Sequence, residues 1–257
     1  MSGAESADVL LASWDEQQAA YIADRESRFR IMVELLELAC GDRPVVVDLA
    51  CGPGSLTKRV LDALPNARVV AVDHDPLLLD IATRALRPVY GDRLTVLDAD
   101  LDRESWPVLV TEALGGSIPN AFVSTTALHW LMPDALLRVY SAAATLLASG
   151  GILLNGDHFR FDGRSQALGR LSAAHDEATQ LRAHRAGAPS WDTWWQAARA
   201  QPGAAVLAAV RDERFAERPA PPSTAVDFHV SALAQAGFTE VGTVWQLLDD
   251  YVVLGVK

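Results

Sequence analysis

The chain has 257 residues, of which 50% are hydrophobic and 21% charged, a composition that builds a sizeable core and excludes disorder. At about 100–200 residues per domain, this length allows one large domain or one domain carrying an insertion. A net charge of −11, with Lys58 and Lys257 the only lysines, leaves no basic face for nucleic acid or an acidic membrane surface, so the expected partner is a small molecule.

The remaining exclusions come from local sequence. No apolar run reaches the roughly 18 residues of a membrane span. The N-terminal stretch MSGAESADVLLASW has no basic start before an apolar segment and does not read as a signal peptide. Cys40 and Cys51 have neither the number for a disulfide framework nor the spacing for a metal site, which predicts reduced thiols, no metal and a cytoplasmic protein.

Residues 1–40 are expected to form a helical flap of two amphipathic stretches, one on Val9, Leu10, Trp14, Tyr21 and Ile22, the other on Phe29, Ile31, Met32, Leu35, Leu36 and Leu38. Gly41-Asp42 and Pro44 end the second. From 44 to 158, short β-branched runs alternate with helical ones. Strands are predicted at 44–50, 67–73, 93–101, 121–128 and 152–159. Helices are predicted at 55–64 with Ser55 as cap, at 76–86 with Pro76 in the first turn, and at 133–151 ending in Gly150-Gly151. Such alternation builds crossover units and a parallel sheet with helices on both faces. Residues 160–225 break the rhythm, carry Trp191, Trp194 and Trp195, and end in ERPAPPS; they read as a helical lid insertion. A last helix at 226–238 and two strands at 238–247 and 251–257, joined by Asp249-Asp250 as an antiparallel hairpin, return to the core.

The chemistry concentrates in VVVDLACGPGSL (45–56), a strand, a glycine turn and a helix start. Gly52 and Gly54 let the backbone turn sharply and approach a ligand, and the following helix offers unpaired N–H groups. Asp73 follows Gly54 by 19 residues, at the end of the next strand, where a carboxylate can hold both hydroxyls of a ribose. Asp98 and Asp100 end the third strand. Thr57 stands where a dinucleotide fingerprint has its third glycine, and the Asp48 carboxylate in the turn region disfavours a pyrophosphate and suits a cationic ligand such as a sulfonium. That favours S-adenosylmethionine (SAM) over NAD.

On these residues the sequence resembles class I SAM-dependent methyltransferases of the small-molecule kind that includes trans-aconitate and malonyl-carrier-protein carboxyl methyltransferases. The matching pieces are VVVDLACGPGSL, VVAVDHDP (69–76), LDADL (97–101), VSTTALHWL (123–131), the helix ending in GG and the closing AGF hairpin. The resemblance implies one methyltransferase domain over 1–257, with a SAM-binding core at 44–158 completed by 226–257. Its fold would be doubly wound and Rossmann-like: a seven-stranded, mostly parallel sheet with an antiparallel C-terminal strand. It further implies Asp48, Ala50, Gly52 and Gly54 at the methionine end, Asp73 on the ribose, His74 beside the adenine, Asp100 with Leu101 at the adenine edge, and Thr125 lining the pocket. Two departures are Ala50, where many members have glycine, and Asn120, where an acid often opens the fourth strand.

On the acceptor side, His129 and His158 follow the fourth and fifth strands and are candidate bases, with Trp130 a donor to a substrate carboxylate. Trp191, Trp194 and Trp195 are candidates to roof the pocket or to anchor the lid. His175 and His184 are expected in solvent, His229 in packing, and Cys51 as a small apolar filler. The expected reaction is methyl transfer to a small metabolite on oxygen, either a carboxylate or a phenol. The alternatives are a SAM-binding protein that transfers no methyl, and an NAD-type oxidoreductase.

Overall fold

The continuous β-branched runs form the centre of one sheet because both of its faces are covered. The computed structural model describes residues 6–257; the first five residues of the expected 1–40 flap and of the leader reading lie outside the described residues. Helices α1 (Ala7–Tyr21) and α2 (Arg25–Cys40) lead into β1 (Val45–Leu49), α3 (Ser55–Ala63), β2 (Arg68–Asp73), α4 (Pro76–Tyr90) and β3 (Leu94–Asp98). There follow α5 (Trp106–Leu114), β4 (Ala121–Thr125), α6 (Pro133–Leu146) and β5 (Ile152–His158). The insertion is helical, with α7 (Gln166–Arg185), α8 (Trp191–Arg199) and α9 (Ala204–Phe215), and the chain closes with α10 (Val226–Gln235), β6 (Glu240–Leu247) and β7 (Asp250–Val256).

The strand order is β3-β2-β1-β4-β5-β7-β6, and only β7 runs antiparallel to its neighbours. Successive side chains of a strand point to opposite faces. Val46, Val69, Ala71, Val123 and Leu154 therefore pack under α1–α4, while Val47, Val70, Val72, Phe122 and Leu153 pack under α5, α6 and α10. The order reverses between β1 and β4, which opens a crevice at their C-terminal ends, the ligand position of open α/β sheets.

Five local readings change. α6 stops at Leu146, short of the expected end at Gly150-Gly151. Gly54, in the left-handed region at φ +95°, is the N-cap of α3, and Ser55 is its first helical residue. α4 runs past the expected end at 86, carries Pro88 in its last turn, and stops at Gly91 (φ +55°). α5 has no counterpart in the sequence reading; it is short, apolar nearly throughout and opened by Pro107, so it lacks the one-sided pattern that marks a helix. The hairpin turns at Leu248-Asp249, with Leu248 at φ +55°, which puts Asp250 inside β7. Asn120 lies at the opposite end of the sheet from the crevice, where its Oδ1 accepts the Val45 N–H at 2.9 Å.

Candidate active site

The turn after β1 is tied to β2 by hydrogen bonds. The Cys51 N–H donates to Val72 O at 2.9 Å, and the Gly52 N–H donates to Asp73 Oδ2 at 2.7 Å. Asp73 Oδ1 accepts the N–H groups of His74 (2.7 Å) and Asp75 (2.8 Å). Burial pushes the Asp73 carboxyl up to about 6 against those donors, a position that a ligand's hydroxyl donors would relieve. Three consecutive alternate residues have positive φ: Ala50 (+54°), Gly52 (+57°) and Gly54 (+95°).

The two glycines serve different ends. A Cβ at Gly52 would meet nothing nearer than Leu78 Cδ1 at 4.0 Å, so the backbone faces open room. A Cβ at Gly54 would collide with Leu86 of α4, so packing against that helix by itself requires a glycine there. Asp48 lies wholly buried beneath the turn. Its Oδ2 accepts the Thr57 hydroxyl at 2.6 Å, its Oδ1 has no partner, and burial pushes its carboxyl up to about 7.

α1 meets this turn through a residue that the sequence did not single out. Asp15 of α1 accepts from Ser55 Oγ at 2.6 Å and pairs with Arg25 (2.7 Å) and Arg59 (3.1 Å). Burial opposes the charge on Asp15, but the two arginines outweigh it and hold the carboxyl below its usual range. Ser55 is therefore a tether from α3 to α1.

The second half of the site stands at the ends of β4 and β5. His129, in a 3-10 turn (Leu128–Trp130), places its Nδ1 2.7 Å from Asp157 Oδ1, and its backbone N–H donates to Asp157 Oδ2 at 3.1 Å. A carboxylate only accepts, so Nδ1 carries the proton and Nε2 is left with a free lone pair. Burial lowers the His129 pKa, but the Asp157 carboxylate outweighs it and the net position is raised. The same contact holds the buried Asp157 below the usual carboxylate range, although burial alone would raise it. His158, whose ring lies 6.0 Å from that of His129, sits with Nδ1 2.5 Å from Asp250 Oδ1.

Arg28 of α2, fully buried, donates through Nη2 to Thr125 Oγ1 at 3.0 Å and also to Thr126 Oγ1, and lies 3.7 Å from Asp250. Thr126 holds φ +53°, a costly conformation for a β-branched residue, next to this cluster. A cavity of about 160 Å³ is lined by His129, Trp130, His158 and Arg160 from the core side and by Ala220, Pro221, Ser223 and Thr224 from the end of the insertion.

The structure does not bring all the expected residues together. Trp194 is buried, with its indole N–H donating to Leu10 O at 3.0 Å, and Trp14 meets Trp194 edge-on at 4.6 Å and Trp191 at 5.9 Å. Trp195 packs against Trp194 at 5.1 Å. None of Trp191, Trp194 and Trp195 lines the cavity beside His129, so the pocket-roof expectation gives way to the anchoring one: they fix α8 to α1. Leu101 packs in the core with Trp106 and Val72. His229 stacks on Phe159 at 3.9 Å and bridges Tyr140 (2.8 Å) and Thr224 (2.7 Å); burial pushes its pKa down to about 4, which keeps it neutral for that role. Asp15, Arg28, Asp157 and Asp250 were not assigned to the site from sequence. Only Asp157, next to His158, carried a signal.

Residues 46–151 match the family described as a methyltransferase domain, over the stretch that supplies the glycine turn, Asp73 and the β4 end. Over this stretch the chain is similar to methyltransferases. It is 39% identical over 80 residues to a trans-aconitate 2-methyltransferase from Azoarcus sp. (strain BH72), covering 31% of each chain. It is 31% identical over 162 residues to a trans-aconitate 2-methyltransferase from Streptomyces coelicolor, covering 62% of this chain and 49% of that one. The matched stretches thus span about half or less of these curated relatives. A putative O-methyltransferase from Nostoc punctiforme shares the fold at a TM-score of 0.57 and 16% identity, over 90% of this chain and 56% of that one. Among the described residues no helix is long and apolar enough to cross a membrane, and no group of metal-ligating side chains occurs.

Proposed function

We propose that this protein is a methyltransferase that moves the methyl group of SAM to an oxygen of a small acidic acceptor, with His129 as base. SAM, when bound, supplies an electrophilic methyl group on a positively charged sulfur. The residues fit it. The open room before Gly52, the unspent Asp48 Oδ1 beneath the turn and the raised Asp73 carboxyl form a cradle at the C-terminal ends of β1 and β2. Gly52 and Ala50 would hold the methionine end by backbone, Asp73 the ribose, and His74 with Asp100 the adenine side. Thr125, bound to Arg28, would stand between the donor and acceptor halves.

The observation that carries the acceptor reading is the His129–Asp157 pair opening on the cavity. Asp157 fixes the tautomer, so Nε2 is the atom that takes an acceptor proton, and the buried carboxylate stabilises the imidazolium that results. The ionisable groups of the cavity wall are His129, His158 and Arg160, with no carboxylate among them, which suits an acid or its anion. Arg160 is held there by Asp249 (2.9 Å) and Asp176 (3.1 Å). At about 160 Å³ the cavity is smaller than the roughly 300–1,000 Å³ of ordinary ligand sites, so it admits a small acceptor or one end of a larger one. Aligning the two reactants contributes up to about 7–11 kcal/mol of barrier reduction, and a base adds about 10²–10⁴-fold for a hydroxyl that must ionise.

The test is S-adenosylhomocysteine formation from SAM with matched sets of small carboxylic acids and phenols, using the wild type and His129→Ala. A phenolic acceptor should lose turnover by about 10²-fold or more in the variant, whereas a carboxylate should lose binding with turnover largely kept. Absence of product with every acid and phenol would sink the acceptor class.

A further inference from the structure

The insertion carries a row of arginines that the acceptor chemistry does not use. Arg211 and Arg214 lie three residues apart on α9 and so share one face of the helix, and Arg218 follows just beyond its end. Each reaches an acid at the C-terminal ends of β2 and β3. Arg211 Nε meets Asp75 at 2.6 Å. Arg214 grips Asp98 with two bonds, at 2.8 and 2.9 Å, and also donates to His74 O at 2.8 Å. Arg218 meets Asp100 at 2.5 Å. Between them Phe215 packs on the His74 ring at 5.7 Å. The other end of this unit is fixed, because Arg211 lies 3.9 Å over Trp195 and α8 is anchored on α1 by the tryptophan cluster.

His74 and Asp100 are the residues that the cofactor reading places beside the adenine. Here one is covered by Phe215 and the other is engaged by Arg218. Asp100 also accepts the Asp102 N–H at 3.1 Å, so both of its oxygens are occupied. Asp75 is bound to α4 as N-cap, accepting from Leu77 (3.0 Å) and Leu78 (3.3 Å), so the Arg211 contact rests on a fixed point. Arg214 and Arg218 instead hold acids at the rim, where Arg214, Arg218 and Asp98 keep 28%, 32% and 46% of their side-chain surface exposed. Ion pairs that wet are individually weak and screened by salt, and they exchange readily.

We propose that α9 and Arg218 belong to the cofactor site as an ionic clasp across its adenosine end, with Arg211 and the tryptophans as the fixed side and Arg214 and Arg218 as the side that releases. This rests on the SAM reading. The clasp sets how fast cofactor and product enter and leave, and its opening exposes His74 and Asp100 together.

The experiment is stopped-flow binding of S-adenosylhomocysteine to the wild type, to Arg214→Ala/Arg218→Ala, to Asp98→Asn, and to Arg84→Ala, which breaks an exposed pair with Asp80 within α4. Asp98→Asn loosens the same clasp without touching α9, so a folding defect in the double variant does not decide the result. The clasp predicts association and dissociation rates that both rise about tenfold in the double variant and less in Asp98→Asn, with the dissociation constant moving less than either rate, and no change in Arg84→Ala. It also predicts wild-type rates that rise between about 0.05 and 0.5 M salt, and flat rates in the double variant. Rates within about twofold of wild type in both clasp variants would overturn it, as would weaker binding carried by dissociation alone. If the wild type binds no S-adenosylhomocysteine, the cofactor reading falls and takes the clasp with it.

Discussion

Alanine at Gly52 and at Gly54 should damage the protein in different ways, although the two glycines lie two residues apart in one turn. Both have positive φ, so each substitution carries the left-handed penalty of about 1–2 kcal/mol, partly offset by about 0.4–1 kcal/mol from a stiffer unfolded chain. At Gly52 the added methyl meets nothing closer than 4.0 Å, and the net loss is about 1 kcal/mol. At Gly54 the methyl collides with Leu86, which adds an overpacking cost of about 1–3 kcal/mol and brings the loss to about 2–4 kcal/mol. For a chain of this size about 1 kcal/mol moves Tm by about 2–4 °C, so calorimetry should show a fall of about 2–4 °C for Gly52→Ala and about 4–16 °C for Gly54→Ala. S-adenosylhomocysteine binding should invert the order: Gly52→Ala fills the room before the turn and should cost more than tenfold in affinity, while any folded Gly54→Ala should bind nearly as wild type. Equal stability losses, or undiminished binding by Gly52→Ala, would refute the division of labour between the two positions.

Ala50→Gly should raise Tm by about 2 °C, since it relieves a left-handed alanine at φ +54° at the cost of a looser unfolded chain; a lower Tm would contradict the strain argument. Asp48 is buried with its carboxyl pushed up from 3.8 to about 7, so the folded state prefers the protonated form and this group's contribution to stability falls as pH rises from about 4 to about 7, by on the order of 4 kcal/mol in full. Asp48→Asn should therefore gain on the wild type through that window, measured by urea unfolding at the two ends of it; a pH-independent difference would refute the assignment. Asp157→Asn should lower the His129 pKa below the wild-type position, read from the imidazole proton resonances, because burial then acts without the opposing carboxylate. An unmoved titration would show that the pair is not coupled.

The fold was legible because its signals are local and repeated. Each of the five parallel strands is a short apolar run, and the central ones, β1, β2, β4 and β5, are buried nearly throughout as their continuity requires. The turn from Asp48 to Ser55 and the acid at Asp73 were legible for the same reason: close spacing in sequence. What the sequence hid is long-range. Asp15 reaches Ser55 across 40 residues and Arg28 reaches Thr125 across 97, contacts that leave no periodic trace. His129 and His158 were visible as residues at strand ends, but the His129–Asp157 contact depends on β4 pairing with β5, and the His158–Asp250 contact on β5 pairing with β7. The tryptophans misled because aromatic clustering marks a packed seam and a ligand wall equally, and only the placement of α8 on α1 separates the two. At Gly54 the sequence likewise carried no sign of the Leu86 side chain behind it, which requires a glycine for packing.

In the proposed function the crevice at the ends of β1, β2 and β4 holds SAM, with Asp73 on the ribose. Calorimetric titration with S-adenosylhomocysteine tests it most directly, comparing the wild type with Asp73→Ala at matched folded fraction. Losing charge-assisted hydrogen bonds to a hydroxyl costs about 1.5–3 kcal/mol, so the account predicts binding by the wild type and a loss of more than tenfold in the variant. No binding by the wild type, or equal affinity in the two proteins, would contradict it.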